Sequence, residues 1–555
     1  MMNSFTTRPA LFLLCLLLFL PFLGKAFHID DAGFLELARM VDWNPLRTAA
    51  EAAGGTGTSM DPRSLPYGAT HTVLMPYLVK VLAALFGERE VPLHAAFLLF
   101  SLASLASLAA LFERWYPAPP GRTSGMVLLF AAIPAFLVSG QSIMADVPTL
   151  AFLLASLLAF ERAFGTGRRA PALLGGLLLA FAVFASYQML AFVPLILFAA
   201  RLRGRINRTV IMGAFLPVVL LAVWLALVYV RHGHVPIAPA DLAGTGSGIA
   251  AELRRGLRPD VLFGKAVFLF ALLGASLLFV VLVRLLSIRS AARALARIAV
   301  AGLVCCVPLA RGVRYSPLET AGLAFLCGVG AVAVFDAVRA GLTGRIEERA
   351  RDRFLAAWAV TVIGYNLLFM PFGSARYLLP ALPPLVLLLL HVPPDQAAAG
   401  ERGTAKAAVI ILALLWGVAS AASDQAYAGA YRSFAKEVRQ FRDNRPQTVT
   451  TWYIGKWGMQ FYLEREGCRV LPAGSQAPRK GDFLIIPEMP RFWQPAPEVG
   501  RRMAFYASRE FRSALPLRLF NRRSNAGFYA HLWGLLPFAF SREPDEVFQV
   551  WEVTS

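Results

Sequence analysis

Long apolar runs separated by short polar joints recur from the start of the chain to about residue 423. They lie near 10–27, 92–112, 125–144, 147–163, 172–186, 188–201, 209–231, 262–288, 298–311, 319–339, 354–372, 377–391 and 406–423. Thirteen membrane-crossing helices are therefore expected. Several runs are shorter than the roughly 20 residues of a perpendicular crossing, which predicts oblique or broken helices. The stretch 172–201 is too long for one crossing and just enough for two, with the break at Ala-Ser-Tyr-Gln. The first run has a long apolar core, a weakly basic start and no small-x-small site, so a retained helix is expected rather than a cleaved leader.

One segment decides the topology. Residues 69–87 (ATHTVLMPYLVKVLAALFG) carry His71, Thr72, Pro76, Tyr77 and Lys80, which makes them amphipathic. If they lie along the interface, the arginine-rich joints all collect on one side. These are Arg114 and Arg122; Arg168 and Arg169; Arg201 to Arg208; Arg289 to Arg297; 339–353; and Arg402 with Lys406. That is the positive-inside pattern, so the expected N-terminus is cytoplasmic. A transmembrane domain of 1–423 then carries a long first outer loop, 28–91. The polar tail 424–555 is expected on the outer face of the plasma (inner) membrane. In that tail TVTTWYIG reads as a strand, KWGMQFYLEREG as a helix and GDFLIIP as a strand, the order of a small α/β unit.

Composition supports this reading. The chain is 57% hydrophobic and only 16% charged, with a mean hydropathy of +0.58, outside the range of soluble domains. The net charge of +20 sits largely in the joints between apolar runs, so it argues for membrane orientation and anionic lipid, not nucleic acid. Four of the five cysteines lie in apolar runs and Cys468 stands alone in the tail, a pattern with no disulfide framework and no Cys-x-x-Cys site.

The candidate chemistry lies where apolar runs meet the outer side. In FHIDDAGFLELARM, Asp30 and Asp31 follow the first run, and Asp146 opens a later helix in SIMADVPTLAF. Each could be a solvated helix cap, since Asp favours that place. The cations His71, Lys80, Arg254, Arg255, Arg258 and Arg376 face the same side, and interfacial cations are commonly snorkelling anchors. Taken together, carboxylates and cations at one mouth suit another use. A carboxylate can deprotonate a hydroxyl while arginine's fork clamps a phosphate leaving group.

An Asp-Asp/Glu-x-x-aromatic start to the first outer loop, followed by ELARM, resembles the GT-C glycosyltransferases. Among them the aminoarabinose lipid A transferases, protein O-mannosyltransferases and bacterial family 39-like enzymes come nearest. SIMADVPTLAFLLASLLAF is similar to their methionine-x-Asp-x-Pro motif, SARYLLPALPPLVLLL to a late Arg-Tyr-x-x-Pro motif, and GKWGMQFYLEREG to the tail of some bacterial members. The resemblance implies an inverting transferase that moves a sugar from a polyprenyl-phosphate donor to a lipid, glycan or protein acceptor. It implies that the first-loop acid is the base: Asp30 by the mannosyltransferases, Asp31 by the lipid A enzymes. Asp146 would shape the sugar site or hold a cation. The lipid A enzymes' lysine-proline is replaced here by His71-Thr72, so donor phosphate binding falls to Arg258 and Arg376, with His71, Lys80 and Tyr377 beside them. No cofactor is demanded, a divalent cation stays open, and there is no Asp-x-Asp pair for a nucleotide-sugar metal. Trp452 and Trp457 read either as core aromatics or as sugar platforms. The alternative is a transporter or flippase of lipid-linked saccharide. Such proteins place ionisable groups at the midplane and show repeated halves, neither of which is seen here.

Overall fold

The computed structural model describes residues 4–46, 73–116, 120–233, 257–309, 315–343, 348–370, 372–392, 403–446, 448–491 and 493–554. The apolar runs are helical. In chain order the helices are α1 (Ser4–Phe19), α2 (Asp30–Met40), α3 (Leu74–Phe86), α4 (Glu90–Trp115), α5 (Pro120–Ala131), α6 (Pro134–Ser139) and α7 (Asp146–Thr166). Then come α8 (Arg169–Ala185), α9 (Phe192–Leu202), α10 (Arg208–His232), α11 (Pro259–Ser287), α12 (Ala291–Leu309), α13 (Pro317–Thr343) and α14 (Arg349–Leu368). The last of the helical region are α15 (Leu382–Leu390) and α16 (Gly403–Asp443). Among the described residues, six helices are long and apolar enough to cross a membrane: α4, α7, α10, most of α11, α13 and α16.

The shorter helices have local causes. The 172–201 run breaks at Ser186, whose extended backbone ends α8 before a 3-10 turn over Tyr187–Ala191. At 13 residues α3 is about 20 Å long, short of a crossing. It packs instead along α2, where the Tyr77 hydroxyl donates to Asp42 O at 2.6 Å. Long helices approach closely where side chains are missing: a Cβ on Gly274 of α11 would lie 1.8 Å from Leu326 O of α13. Small residues at such crossings allow the backbone-to-backbone packing that membrane helices rely on.

The polar tail forms a five-stranded sheet. Its strands are β1 (Thr451–Tyr453), β2 (Arg469–Val470), β3 (Phe483–Pro487), β4 (Met503–Phe511) and, near the C-terminus, Glu546–Val553. β1 runs parallel to β2 and β3, while Glu546–Val553 is antiparallel to both β3 and β4. The expected strand–helix–strand order holds, with α17 (Gly458–Arg465) between β1 and β2. α16 passes through positions 423–424 unbroken, and its second half carries Tyr431 and Phe434 into the tail's core. The ring of Phe434 stacks on Phe548 at 4.0 Å.

Residues 517–540 fold back onto the helical domain. Leu536 and Ala539 bury with Val267 and Ala271 of α11 and Leu323 of α13. The two parts share one apolar core, which fixes the tail against the mouth of the helices.

Candidate active site

The segment leaving α1 makes a tight turn before α2. Ile29 has φ 48° and ψ −114°, the first inner position of a type II′ turn, where glycine is usual. The His28 carbonyl accepts the Asp31 N–H at 3.0 Å, and the His28 N–H donates to Asp31 Oδ2 at 2.9 Å. A β-branched residue in that conformation costs on the order of 1–3 kcal/mol and persists only where surrounding structure over-determines it. The turn sends two adjacent carboxylates in different directions.

Asp31 goes inward and is fully buried. Its second oxygen accepts the Ile143 N–H at 2.6 Å, tying the turn to the loop before α7, and His94 Nε2 stands 3.7 Å away. Burial by itself would raise this carboxyl. The His94 ring, Lys25 and the His28 N–H outweigh it and hold Asp31 below the ordinary carboxylate range. These contacts tie the turn to α4 and to the loop before α7.

Asp30 goes to the mouth. Its Oδ2 is paired with Arg376 Nη1, and the same Nη1 lies 3.8 Å from Asp146 Oδ2. Asp30 and Asp146 each open a helix, where the macrodipole favours negative charge. Two helix starts and the 3-10 turn at Arg376–Ala381 thus converge on one guanidinium. The three side chains differ in exposure: Arg376 8%, Asp146 9%, Asp30 20%. Asp30 is the open member. Arg376 Nη2 donates to the Tyr377 hydroxyl at 3.3 Å, while its Nε is buried with no hydrogen-bond partner. An orphaned, buried guanidinium N–H is a donor left over for an anion.

The tail domain holds both halves of this site. The Ala375 N–H donates to Phe528 O at 2.9 Å, the Gly373 N–H to His531 Nδ1 at 3.0 Å, and the His531 N–H returns to Gly373 O at 3.2 Å. On the other half, the Phe27 N–H donates to the Tyr462 hydroxyl at 2.8 Å, and Gly458 sits so close that a Cβ there would meet Phe27 O at 2.1 Å. Beneath the turn Lys25 is fully buried between Ser142 and Asp424, with Nζ 2.9 Å from Asp424 Oδ2. The Tyr529 hydroxyl donates to the other Asp424 oxygen at 2.7 Å. His28 lies among the rings of Tyr427, Tyr431, Trp457 and Tyr529, and burial pushes its pKa down to about 4, leaving it neutral.

Of the residues expected from sequence, Asp30, Asp146, Arg376 and Tyr377 come together. Lys80 does not join them. It donates to the carbonyls of Val41 at 2.7 Å and Ala38 at 3.4 Å, at the far end of α2 from Asp30. Those carbonyls are the orphan acceptors of a helix C-terminus, so Lys80 acts as a cap. Arg258 lies exposed just before α11. His71, Arg254 and Arg255 fall outside the described residues. Trp452 donates its ring N–H to Asp482 at 3.0 Å within the tail, whereas Trp457 lies in the ring cluster around His28. Sequence reasoning does not single out Lys25, Asp424, Ser142 or His94. Lys25 looks like the polar flank of a span, and its partner is 399 residues away.

For a divalent cation the available carboxylates are Asp30 and Asp146, both turned to Arg376. No group of three or more His, Cys, Asp or Glu suited to a metal ion occurs among the described residues. The guanidinium occupies the place between the two acids.

Comparison with known proteins agrees with the motifs. Residues 70–230 match the dolichyl-phosphate-mannose-protein mannosyltransferase family. Among solved structures the chain is similar to ArnT from Cupriavidus metallidurans bound to undecaprenyl phosphate. That match has 14% identity and a TM-score of 0.45, over 90% of this chain and 96% of that one. It is also similar to the oligosaccharyltransferase AglB from Archaeoglobus fulgidus, solved with an inhibitory peptide and a dolichol-phosphate. Here the identity is 12% and the TM-score 0.41, over 84% of this chain and 64% of that one. A third likeness is to the arabinofuranosyltransferase AftD from Mycobacteria, at 14% identity and a TM-score of 0.39, over 99% of this chain and 40% of that one. No curated protein matches by sequence. The resemblance seen in the motifs is met again in the family whose model matches residues 70–230.

Proposed function

We propose that this protein is an inverting membrane glycosyltransferase that takes a sugar from a polyprenyl-phosphate donor and passes it to an acceptor at the outer membrane face. The supporting observation is the Asp30–Arg376–Asp146 cluster, with Asp30 open and Arg376 Nε unsatisfied. Asp30 serves as the base. It takes the proton of an acceptor hydroxyl as that oxygen bonds to the anomeric carbon. The bond between that carbon and the phosphate oxygen breaks, and its electron pair leaves with the polyprenyl phosphate. Arg376 meets the growing phosphate charge in a site where fixed donors act strongly because little water competes. The same guanidinium is the counter-charge of the Asp30 carboxylate before reaction. Asp146 holds Arg376 from the other side and forms the wall against which the sugar lies. Asp31 positions the turn.

A polyprenyl-phosphate donor is in keeping with two of the similar proteins, since ArnT is bound to undecaprenyl phosphate and AglB is in complex with a dolichol-phosphate. The test is reconstitution of the full chain in liposomes with radiolabelled polyprenyl-phosphate sugars and extracted envelope acceptors. Label should pass from donor to acceptor with release of polyprenyl phosphate. Movement of intact donor between leaflets with no cleavage would establish the transporter reading instead.

A further inference from the structure

Beside the tail's sheet lies an open cleft of about 380 Å³, and its polar lining is strongly one-sided. Three arginines, Arg491, Arg522 and Arg523, line it with one carboxylate, Glu488, and the amide of Gln549. Arg523 is already engaged, by Glu488 at 2.8 Å and Glu543 at 3.4 Å. Arg491 and Arg522 pair with no carboxylate among the described residues. Two guanidinium forks therefore remain for an anion.

Ring contacts lead from the cleft's Arg522 toward the turn that carries Asp30. The guanidinium of Arg522 lies 5.9 Å from the ring of Trp533. Trp533 contacts Trp457 with ring centres 6.3 Å apart, and Trp457 contacts His28 at 6.4 Å. His28 opens the turn that aims Asp30. Two indole rings thus lead from Arg522 to His28, two residues before Asp30. Flat aromatic faces with a polar edge suit the mixed faces of sugar rings.

We infer that the Arg491–Arg522 cleft is an acceptor subsite that binds an anionic group, phosphate or carboxylate, carried by the acceptor glycan a few sugar units from the hydroxyl that receives the new sugar. Charge excess in a concave site raises the local concentration of such an acceptor and sets its register toward Asp30. The inference rests on the transferase reading and extends it to the acceptor's chemical class.

The experiment uses the full chain in phosphatidylcholine nanodiscs. Inorganic pyrophosphate and glucuronate are titrated calorimetrically against wild type and the Arg491→Ala/Arg522→Ala double variant. Saturable binding of at least one probe is expected, weakened at least tenfold in the variant. In the transfer assay the variant should raise the acceptor KM about tenfold with kcat and the donor's slow hydrolysis unchanged. Phosphatase-treated acceptor tells phosphate from carboxylate as the group recognised. No saturable binding of either probe, or equal binding by both proteins, overturns the subsite. So does loss of pyrophosphate binding only when phosphatidylglycerol is added to the nanodiscs, which assigns the arginines to lipid headgroups. A wild-type chain that moves intact donor between leaflets without cleaving it would instead refute the transferase reading and leave the probe titrations to judge the cleft.

Discussion

Arg376 pairs with Asp30 across 346 residues of sequence, and the pair joins the first turn after α1 to the 3-10 turn before α15. The same guanidinium stands 3.8 Å from Asp146, so one cation is shared by two carboxylates from two other helices. Arg376→Lys keeps the charge but loses the fork. We expect the variant to fold and to lose about 10²-fold in kcat, in line with removal of one fixed oxyanion donor. Arg376→Ala leaves two acids facing each other and should cost roughly 3–5 kcal/mol of stability as well. Steady-state transfer rates and thermal melts of the two variants check this. Full activity in Arg376→Lys would place the donor phosphate elsewhere.

In the proposed mechanism Asp31 positions the turn. Asp31→Asn forfeits a charged acceptor for the backbone N–H groups of Ile143 and His28, and turns an amide donor toward one of them. A loss of roughly 1–3 kcal/mol is expected, seen as a lower melting temperature. Transfer should persist in the fraction that remains folded. Loss of all activity at an unchanged melting temperature would make Asp31 the base.

The tail domain also shapes the site through contact. In Gly458→Ala the new Cβ would fall 2.1 Å from Phe27 O, so the segment 27–31 must shift. Overpacking of this kind costs about 1–3 kcal/mol. It should lower kcat with little change in donor KM, because it moves Asp30 and leaves Arg376 in place. Unchanged kinetics would show that the turn tolerates displacement.

A pH effect follows from Glu546, which accepts from the backbone N–H groups of Glu488, Met489 and Val547 and from the hydroxyls of Tyr427 and Tyr431. Burial pushes its pKa up to about 7 from an ordinary 4.5. Between these values the folded chain keeps a proton that the unfolded chain has released. Stability therefore falls as pH rises through that window, by about 3 kcal/mol, and levels off above 7. His28 works in the opposite sense: its depressed pKa makes stability rise with pH between about 4 and 6.5. The Glu546→Gln variant separates the two. Its melting temperature relative to wild type should climb from pH 4.5 to 7 and hold constant beyond, and a pH-independent gap would contradict the assignment.

Much of this arrangement is legible in the sequence. Apolar runs mark the helices because each must bury its backbone polar groups internally, and the break at Ser186 is written in the Ala-Ser-Tyr-Gln interruption of a run too long for one crossing. Asp30, Asp146 and Arg376 are visible as charges where apolar runs end or begin. Their meeting is not, because no local pattern encodes contacts between residues hundreds of positions apart. Nor does local pattern separate Asp30 from Asp31. That distinction is made by the positive φ of Ile29, which tertiary packing imposes on a residue that disfavours it. Lys80 misleads for the opposite reason: a cation at an interface and a cation capping the C-terminal carbonyls of α2 look alike until Val41 and Ala38 are seen beneath it.

In the proposed mechanism Asp30 is the base. Its most direct test is the transfer rate of Asp30→Asn, measured with saturating polyprenyl-phosphate sugar and acceptor beside an Asp31→Asn control. A general base contributes about 10²–10⁴-fold. Asp30→Asn should therefore fall by at least 10²-fold with its melting temperature and donor binding retained, while Asp31→Asn melts earlier and still transfers. Wild-type turnover in a folded Asp30→Asn chain would contradict the account.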